Sequence, residues 1–226
     1  MKQFNIDVKK LEINDEGNIV KKKNTVKHSK DNALEKHEQE DLIKSIKQLN
    51  YEPKTIERYR TLVALTMEAG LRISEAIQTR LSWMTETEHG YTINIPIKAR
   101  DIRNLKRDWK PKTTAGAREV IFLDAGTGSM VKSFMVNNEK GLGFSRQRGN
   151  QIIKMLGTNI NKPGLHPHAL RSTYANNLVY AGVNATTLMY YMGWSDMNTA
   201  INYIKSSKFA ARKDLIDKFT NRLDEK

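Results

Sequence analysis

The chain has 226 residues, enough for one sizeable domain with an appendage, and its hydrophobic content of 38% can support a core. It contains no cysteine, which excludes disulfides, thiol nucleophiles and cysteine-ligated metals. Lysine and arginine outnumber aspartate and glutamate by 38 to 25, and the formal charge of +13 makes nucleic acid the leading expected partner, ahead of an anionic membrane surface.

The first 32 residues are predicted to stand apart from the main domain. Alternating apolar residues at 4–8, an NDEGN turn at 14–18 and an Ile-Val pair at 19–20 would suit a small hairpin. The lysines at 21–23 suit a solvated segment, and we predict a basic arm or linker over residues 1–32. The start lacks a signal-peptide core, and no apolar run approaches the roughly 20 residues that span a bilayer. We therefore expect a cytoplasmic, microbial protein with no membrane partner.

A helical pattern begins at Ala33. Apolar residues between Leu34 and Leu49 recur at helical spacing, and Pro53 suits the first turn of a second helix. Gly70 is the natural stop of that second helix. This part of the chain is therefore predicted to form two helices.

Arg72 follows the glycine stop in a short crossing between two helices. Ser74 is predicted to cap the next helix, which carries Glu75. A guanidinium held in such a corner can point at one place, although an ordinary surface arginine at a helix end is an alternative interpretation.

A small sheet is predicted in the middle of the chain. Apolar residues alternate over 91–97, and Val120 with Phe122 indicates a second strand. The intervening residues 98–118 carry eight basic residues against two acidic ones, a net charge of +6. A solvated loop is common with such a composition, but the charge favours contact with DNA phosphates.

A turn-rich connection is predicted at 124–128, followed by helices at about 128–138 and 145–157. Arg146 and Arg148 lie at the start of the second helix, where free backbone N–H groups also favour phosphate. The residues predicted to bind DNA share a basic side chain in this helix or in the basic loop at 98–118: Lys110, Arg146, Arg148 and Lys154.

The window 140–195 contains no acidic residue, and such a surface suits a polyanion. Within it, Pro167 is predicted to begin a helix that stops before Gly182. His168 and Arg171 are three residues apart and share one face of that helix.

Two further helices are predicted near the C-terminus. Asn184 can cap a short helix that ends at Gly193, and Ser195 can cap the helix that carries Tyr203. An apolar stripe at 215–223 predicts an amphipathic tail, which packs on its own domain or on a neighbouring protomer.

Breaking a DNA phosphodiester without a metal places specific demands on side chains. A tyrosine can be the nucleophile, but its ordinary pKa of about 10 means that it needs help to lose its proton. Fixed arginines can stabilise the charge that develops on the phosphate oxygens, and a lysine can protonate the leaving oxygen. Histidine and the tryptophan N–H can complete the contacts to the phosphate.

Four segments of this chain resemble, in order and spacing, the conserved boxes of the tyrosine recombinases, or phage integrases. They are AGLRISEA at 69–76, PKTTAGAREVIFL at 111–123, HPHALRSTYANNL at 166–178 and MGWSDMNTAINY at 192–203. The resemblance covers about residues 33–210, and four boxes in order are far more specific than any one.

The resemblance implies roles for residues in the first three boxes. Arg72 and Arg171 would clamp the phosphate, and Lys112, in competition with Lys110, would be the general acid. Glu75 matches an acidic residue that is more a support than a catalyst. Ser172 stands where many members have a second histidine and receives no role.

The remaining roles fall to His168, Trp194 and Tyr203. His168, rather than His166, would transfer a proton or bind the phosphate, because it lies three residues before the arginine. Trp194 stands where most members have histidine; its N–H can donate to phosphate but cannot shuttle a proton. Tyr203 would be the nucleophile. Its competitors nearby in sequence are Tyr174, Tyr190 and Tyr191.

The resemblance predicts an α+β, mainly α-helical fold with a small antiparallel sheet, a tyrosine recombinase-like catalytic domain over residues 33–226. It implies site-specific cleavage and rejoining of double-stranded DNA through a 3′-phosphotyrosyl intermediate, with no cofactor and no metal. The expected assembly is a homo-oligomer, a tetramer on paired sites. The alternatives are a type IB topoisomerase-like relaxase, which shares this chemistry, and a non-catalytic DNA-binding regulator. Family members normally carry a further helical domain before the catalytic one, and residues 1–32 are too few to form it.

Overall fold

The computed structural model describes residues 11–13, 19–21, 33–207 and 211. In the first two of these ranges, β1 (Leu11–Ile13) and β2 (Ile19–Lys21) pair antiparallel, with Leu11 opposite Lys21. The predicted return strand at 19–20 is thereby confirmed, whereas its partner lies at 11–13 instead of in the alternating residues 4–8. Residues 4–8 and the turn at 14–18 lie outside the described residues, and a basic arm over 1–32 stays a prediction.

The first two helices of the main domain follow their sequence signals closely. Helix α1 (Lys36–Lys47) buries Leu42 and Ile46 on one face. Helix α2 (Pro53–Val63) begins at the proline and continues into a π-helical turn at Ala64–Glu68. The chain then leaves the helix at Gly70, whose φ of +61° is the left-handed conformation that glycine adopts most readily.

Gly70 is also packed too tightly for any side chain, since a Cβ there would overlap the ring of Tyr174. We expect Gly70→Ala to lower the free energy of unfolding by about 3 kcal/mol, combining left-handed strain with overpacking. Gly164→Ala is the matched control, because a Cβ at Gly164 would meet nothing within 4 Å. Urea denaturation of the two variants measures the difference, and equal midpoints would contradict this account of the corner.

Three strands form the predicted small antiparallel sheet, in the order β3 (Met84–Thr87), β4 (Gly90–Ile95) and β7 (Arg118–Ile121). Ile93 pairs with Val120, and both side chains are buried against the helices. The strand predicted over 91–97 ends at Ile95, and β3 was not predicted from the sequence.

The basic segment between β4 and β7 is more ordered than a solvated loop. Its ends pair as β5 (Ala99–Arg100) and β6 (Asp108–Trp109). Asp101 is buried in the turn and accepts hydrogen bonds from Gln78 Nε2 at 3.0 Å and from Arg107 Nε at 3.0 Å. These and two backbone N–H donors overcome the effect of burial, which would raise the pKa of Asp101, and lower it to about 2. The exposed basic residues of this hairpin are therefore held on a fixed support.

Helices α4 (Ala125–Val136) and α5 (Arg146–Asn159) follow the sheet. The prediction of a turn-rich connection at 124–128 was wrong, because Asp124 is the N-cap of α4 and accepts a hydrogen bond from the backbone N–H of Thr127 at 2.6 Å. The helix predicted at 145–157 is confirmed. Its N-cap is Ser145, which accepts from the Arg148 N–H.

The last three described helices are α6 (Pro167–Tyr180), α7 (Ala185–Met192) and α8 (Met197–Lys205). Asn184 caps α7, and Gly193 ends it with a φ of +54°, both as predicted. The N-cap of α8 is Asp196 and not the predicted Ser195, because the Asp196 carboxylate accepts from the Asn198 N–H at 3.1 Å. The apolar stripe at 215–223 lies outside the described residues.

Two groups of buried side chains form the core. The larger group includes side chains from helices α1, α2, α4 and α5, from the sheet and from the first turn of α6. The smaller group lies between the rest of α6 and helices α7 and α8. Helix α6 therefore contributes side chains to both groups, and most of its residues are buried. Among the described residues, no helix is long and apolar enough to cross a bilayer.

Candidate active site

The first component of the site is the corner at Arg72. Arg72 is itself the N-cap of the short helix α3 (Ile73–Ala76), so the prediction that Ser74 caps this helix was wrong. Glu75 explains the difference, because its Oε2 accepts the backbone N–H of Arg72 at 2.8 Å and its Oε1 accepts Nη1 of the same residue at 2.8 Å. Nη2 of Arg72 donates to the carbonyl of Gly193 at 2.9 Å. The guanidinium is thereby fixed by a helix terminus and a distant turn.

Arg171 enters the site from α6 and is 2% exposed. Its Nη1 donates to the carbonyl of Gly70 at 2.6 Å and lies 3.7 Å from Glu75 Oε2, and its Nη2 donates to the carbonyl of Met192. Burial lowers the pKa of Arg171 to about 9, and the Glu75 carboxylate opposes that shift. The side chain therefore remains charged at neutral pH.

Arg118 is a third buried arginine in the site, and sequence reasoning missed it. It was counted only as part of the basic loop, yet its side chain is 1% exposed and its Nη2 lies 3.2 Å from Glu75 Oε2. It stands six residues after Lys112, in the same box, at the first position of β7. One sequence signal could have identified it: Arg118 begins a strand in which alternate residues face inwards, and it lies at one of the inward-facing positions.

Glu75 is the shared partner of all three arginines. Burial alone would raise the pKa of its carboxyl group, but Arg118, Arg171 and Arg72 together hold that pKa below its ordinary value. Three guanidinium charges thus surround one carboxylate, which leaves a net charge of +2. Because buried charge is costly unless it is paired, this excess suits an anion that binds at the site.

The turn that carries Lys112 lies directly beside Arg72. A Cβ on Gly116 would lie 3.5 Å from Arg72 Nη1, an ordinary contact distance, and 2.7 Å from Pro111 Cβ, so it is the packing within the turn that requires glycine at this position. The Lys112 side chain is exposed, and its charge contributes to lowering the pKa of His168. Lys110 is exposed too, but it acts on Asp108 of the hairpin.

The two candidate histidines are separated in role by their contacts. His166 is the N-cap of α6, and its Nδ1 accepts the backbone N–H of Ala169 at 3.2 Å. His168 makes no such cap and lies one turn before Arg171, at the exposed rim of the arginine cluster. Desolvation lowers the pKa of His168, and the positive charges of Arg171, His166, Arg72 and Lys112 lower it further. All of these effects favour the neutral imidazole of His168.

Tyr203 and Trp194 pack against each other, with ring centroids 5.4 Å apart. The Tyr203 hydroxyl is buried and donates to the backbone carbonyl of Ser172 at 3.0 Å. Burial raises the pKa of Tyr203 to about 12, and a hydrogen bond with the Ser172 side chain and the charge of Arg171 oppose that shift. Tyr203 is therefore a protonated phenol in this arrangement, held within electrostatic reach of Arg171.

The competing tyrosines have other partners. Tyr174 is fully buried, and its hydroxyl donates to the carbonyl of Ile121, a core position. Tyr190 is half exposed, and its hydroxyl accepts the backbone N–H of Glu119 at the edge of the sheet. Tyr191 packs edge-on against Tyr190.

The residues predicted to bind DNA border the same region. Helix α5 packs against α3, since a Cβ on Gly149 would lie 2.8 Å from Ile73 Cδ1. Arg146 and Arg148 at the start of α5 are both exposed, and Arg148 Nη2 donates to the hydroxyl of Tyr59 at 3.4 Å. Lys154 is exposed about two turns further along the helix. Within the described part of the chain, no group of three or more histidine, aspartate or glutamate side chains could hold a metal ion.

The architecture is that of tyrosine recombinase catalytic domains. The XerA recombinase structure superposes with a TM-score of 0.61 at 17% identity, over 82% of this chain and 62% of that one. The XerH site-specific recombinase bound to difH substrate also gives a TM-score of 0.61, at 19% identity, over 84% and 55% of the two chains.

Residues 32–209 match the sequence model of the phage integrase family, so the chain belongs to that family. Tyrosine recombinase XerD of Bifidobacterium longum is 27% identical over 158 residues, which are 65% of this chain and 49% of the relative. The transposase from transposon Tn916 of Enterococcus faecalis is 24% identical over 193 residues, covering 69% and 44%. The chain thus spans about half the length of these curated relatives.

Proposed function

We propose that this chain is a site-specific recombinase or integrase that cleaves and rejoins double-stranded DNA through a 3′-phosphotyrosyl intermediate on Tyr203. The observation that carries this proposal is the cluster of three arginines on one buried carboxylate, with Tyr203 and the Lys112 turn beside it. The cluster carries a net positive charge, which complements the negative charge of a phosphodiester. The attraction between them becomes stronger when the phosphate gains negative charge in the transition state.

The proposed cleavage step forms one bond and breaks one. The Tyr203 oxygen attacks the phosphorus, the bond from phosphorus to the 5′ oxygen breaks, and the 3′ phosphate remains on the tyrosine. The phenol proton passes to a base, for which the neutral imidazole of His168 is suited. The 5′ oxygen takes a proton from Lys112. Rejoining reverses each transfer, so the chemistry is complete with side chains alone.

The two clamp arginines would stabilise the charge on the non-bridging oxygens. Arg72 and Arg171 are held by Glu75 and by backbone carbonyls before DNA arrives, so little reorganisation is needed at the moment of reaction. The Trp194 N–H is proposed to donate to the same phosphate and also packs on the nucleophile.

Double-stranded DNA is proposed to lie across the basic hairpin and the start of α5. Lys110, Arg146, Arg148 and Lys154 would contact phosphates on either side of the cleaved one. Phosphate contacts carry little sequence information, so site recognition requires the assembly of several protomers, and we propose a tetramer on two paired sites. The protein would act on DNA in the cytoplasm of a microbial host.

The proposal is tested by covalent capture. The full chain is incubated with nicked duplexes of random sequence, and DNA that stays attached to protein under denaturing conditions is sequenced and its peptide mapped. The expected result is an adduct on Tyr203 with enrichment of one DNA sequence. Absence of any adduct would refute the enzyme activity, and plasmid relaxation without junction formation would indicate a relaxase instead.

Lys112→Ala should cleave ordinary DNA poorly. Its cleavage rate should recover on the DNA sequence found by covalent capture when that DNA carries sulfur in place of the 5′ bridging oxygen. Sulfur leaves without a proton, so it bypasses a general acid and nothing else. The measurement is the ratio of cleavage rates on the two substrates. Lys110→Ala is the matched control, because the charge of Lys110 acts on Asp108 of the hairpin. Sulfur rescue of Lys110→Ala rather than Lys112→Ala would move the general acid by two residues.

A further inference from the structure

Each of the three guanidinium nitrogens of Arg118 already donates to a group within the protein. Arg118 is the first residue of β7, opposite Ile95, and its side chain is 1% exposed. A guanidinium so deeply buried is costly unless every donor is paired. Any contribution of Arg118 to the reaction must therefore pass through the groups that it contacts.

Those groups belong to three segments that are far apart in sequence. Nη2 and Nη1 of Arg118 donate to the two carboxylate oxygens of Glu75 at 3.2 and 3.4 Å. Nη1 also donates at 2.8 Å to the carbonyl of Gly116, in the turn that carries Lys112. Nε donates at 2.8 Å to the carbonyl of Tyr191, in the last turn of α7. One side chain thus joins α3, the lysine turn and the segment that leads to Trp194.

The C-terminal end of α7 strengthens this connection. Its consecutive carbonyls at 191, 192 and 193 accept from Arg118, Arg171 and Arg72 respectively. The last carbonyls of a helix lack partners within the helix and attract cations. Gly193 permits the approach, since a Cβ there would lie 2.9 Å from Arg118 Nη1 and 2.9 Å from the carbonyl of Ala115.

Resting on the function proposed above, we propose that Arg118 is a positioning residue for DNA cleavage. It occupies both oxygens of Glu75 and holds the end of α7 against the lysine turn. Without it, Arg72 and Arg171 alone would have to neutralise the carboxylate, and the Arg171 guanidinium, now 3.7 Å from Glu75 Oε2, would be drawn towards Glu75 and away from the phosphate. The effect therefore falls on the clamp and not only on the general acid.

The first test measures cleavage of the captured DNA sequence by Arg118→Met and Arg118→Lys. We expect a loss of about 100-fold for Arg118→Met, the scale of a small misplacement of catalytic groups, and partial recovery with lysine. Sulfur at the 5′ bridging position should not restore Arg118→Met, in contrast to Lys112→Ala. Cleavage at the wild-type rate, or full recovery with sulfur, would overturn the proposal.

Arg80→Met is the matched control. Arg80 is a half-buried arginine next to α3. Like Arg118 it donates to backbone carbonyls, here those of Gln78 and Arg100, but it does not touch Glu75. It should cleave at close to the wild-type rate.

The second test needs no DNA and remains decisive even if the wild-type chain forms no adduct. Carbon-13 NMR follows the titration of the Glu75 carboxyl group, and nitrogen-15 NMR follows the Arg72 Nε–H signal. Because Arg118 is the strongest of the charges that lower the pKa of Glu75, Arg118→Met should raise this pKa and shift the Arg72 signal. Arg80→Met should change neither. Unchanged signals in Arg118→Met would overturn the positioning role, whereas a missing adduct with shifted signals would refute only the proposed function.

Discussion

Tyr203→Phe is expected to abolish the covalent protein–DNA adduct completely while leaving DNA binding close to normal. The substitution removes only the hydroxyl oxygen that would attack the phosphorus, and the ring keeps its contact with Trp194. The lost hydrogen bond to the Ser172 carbonyl should lower the free energy of unfolding by about 1 kcal/mol. The measurements are denaturing gel electrophoresis of the adduct and a binding isotherm on the captured DNA sequence.

Tyr190→Phe is the control for this experiment. The Tyr190 hydroxyl contacts the edge of the sheet through Glu119 and has no contact with the arginine cluster, so this variant should form the adduct normally. Undiminished adduct in Tyr203→Phe, or an adduct mapped to Tyr190 or Tyr191, would show that the nucleophile is misassigned.

Arg72→Ala and Arg171→Ala should each reduce the cleavage rate by about 100-fold or more, the scale of losing one fixed donor to a developing oxyanion. Each removes one of the three positive charges that surround Glu75. DNA binding should fall much less, because the exposed basic residues of the hairpin and α5 are unchanged. Single-turnover cleavage and binding isotherms separate the two effects.

The two variants should differ in stability. Arg72 is partly exposed, so its removal leaves little buried charge without a partner, whereas Arg171 is enclosed and also satisfies the carbonyl of Gly70. Arg171→Ala should therefore also lower the melting temperature, and Arg171→Lys keeps the test interpretable because it preserves a charge. Arg80→Ala serves as the folded control. Cleavage at the wild-type rate by Arg72→Ala would remove it from the clamp.

The local elements of the fold were largely predictable because their signals lie within a few residues of each other. Pro167 opens α6, Asn184 caps α7, and the glycines at 70 and 193 adopt the positive φ that ends a helix. The strand β3 was not predicted, since three of its four residues are exposed and its sequence MTET shows no apolar alternation. Two helix caps were predicted at the wrong residue, and the structure places them at Arg72 and Asp196. Both errors have the same cause: neighbouring polar residues compete to cap a helix, and only the backbone conformation decides which one does so.

The sequence by itself determined which residues to propose for the chemistry, since the resemblance of four segments in order to the family's boxes singled out the candidate arginines, lysine, histidine and tyrosine. Only the tertiary structure decided how they are connected. Arg118 looked like one more cation of a basic loop, yet it pairs with Glu75, 43 residues away, and with the carbonyl of Tyr191, 73 residues away. The acceptor of the Tyr203 hydroxyl is a backbone carbonyl, a group that every residue possesses and no sequence pattern marks. A helix cap or a turn depends on neighbours along the chain, whereas the pairing of a buried charge depends on which distant segments the core brings into contact.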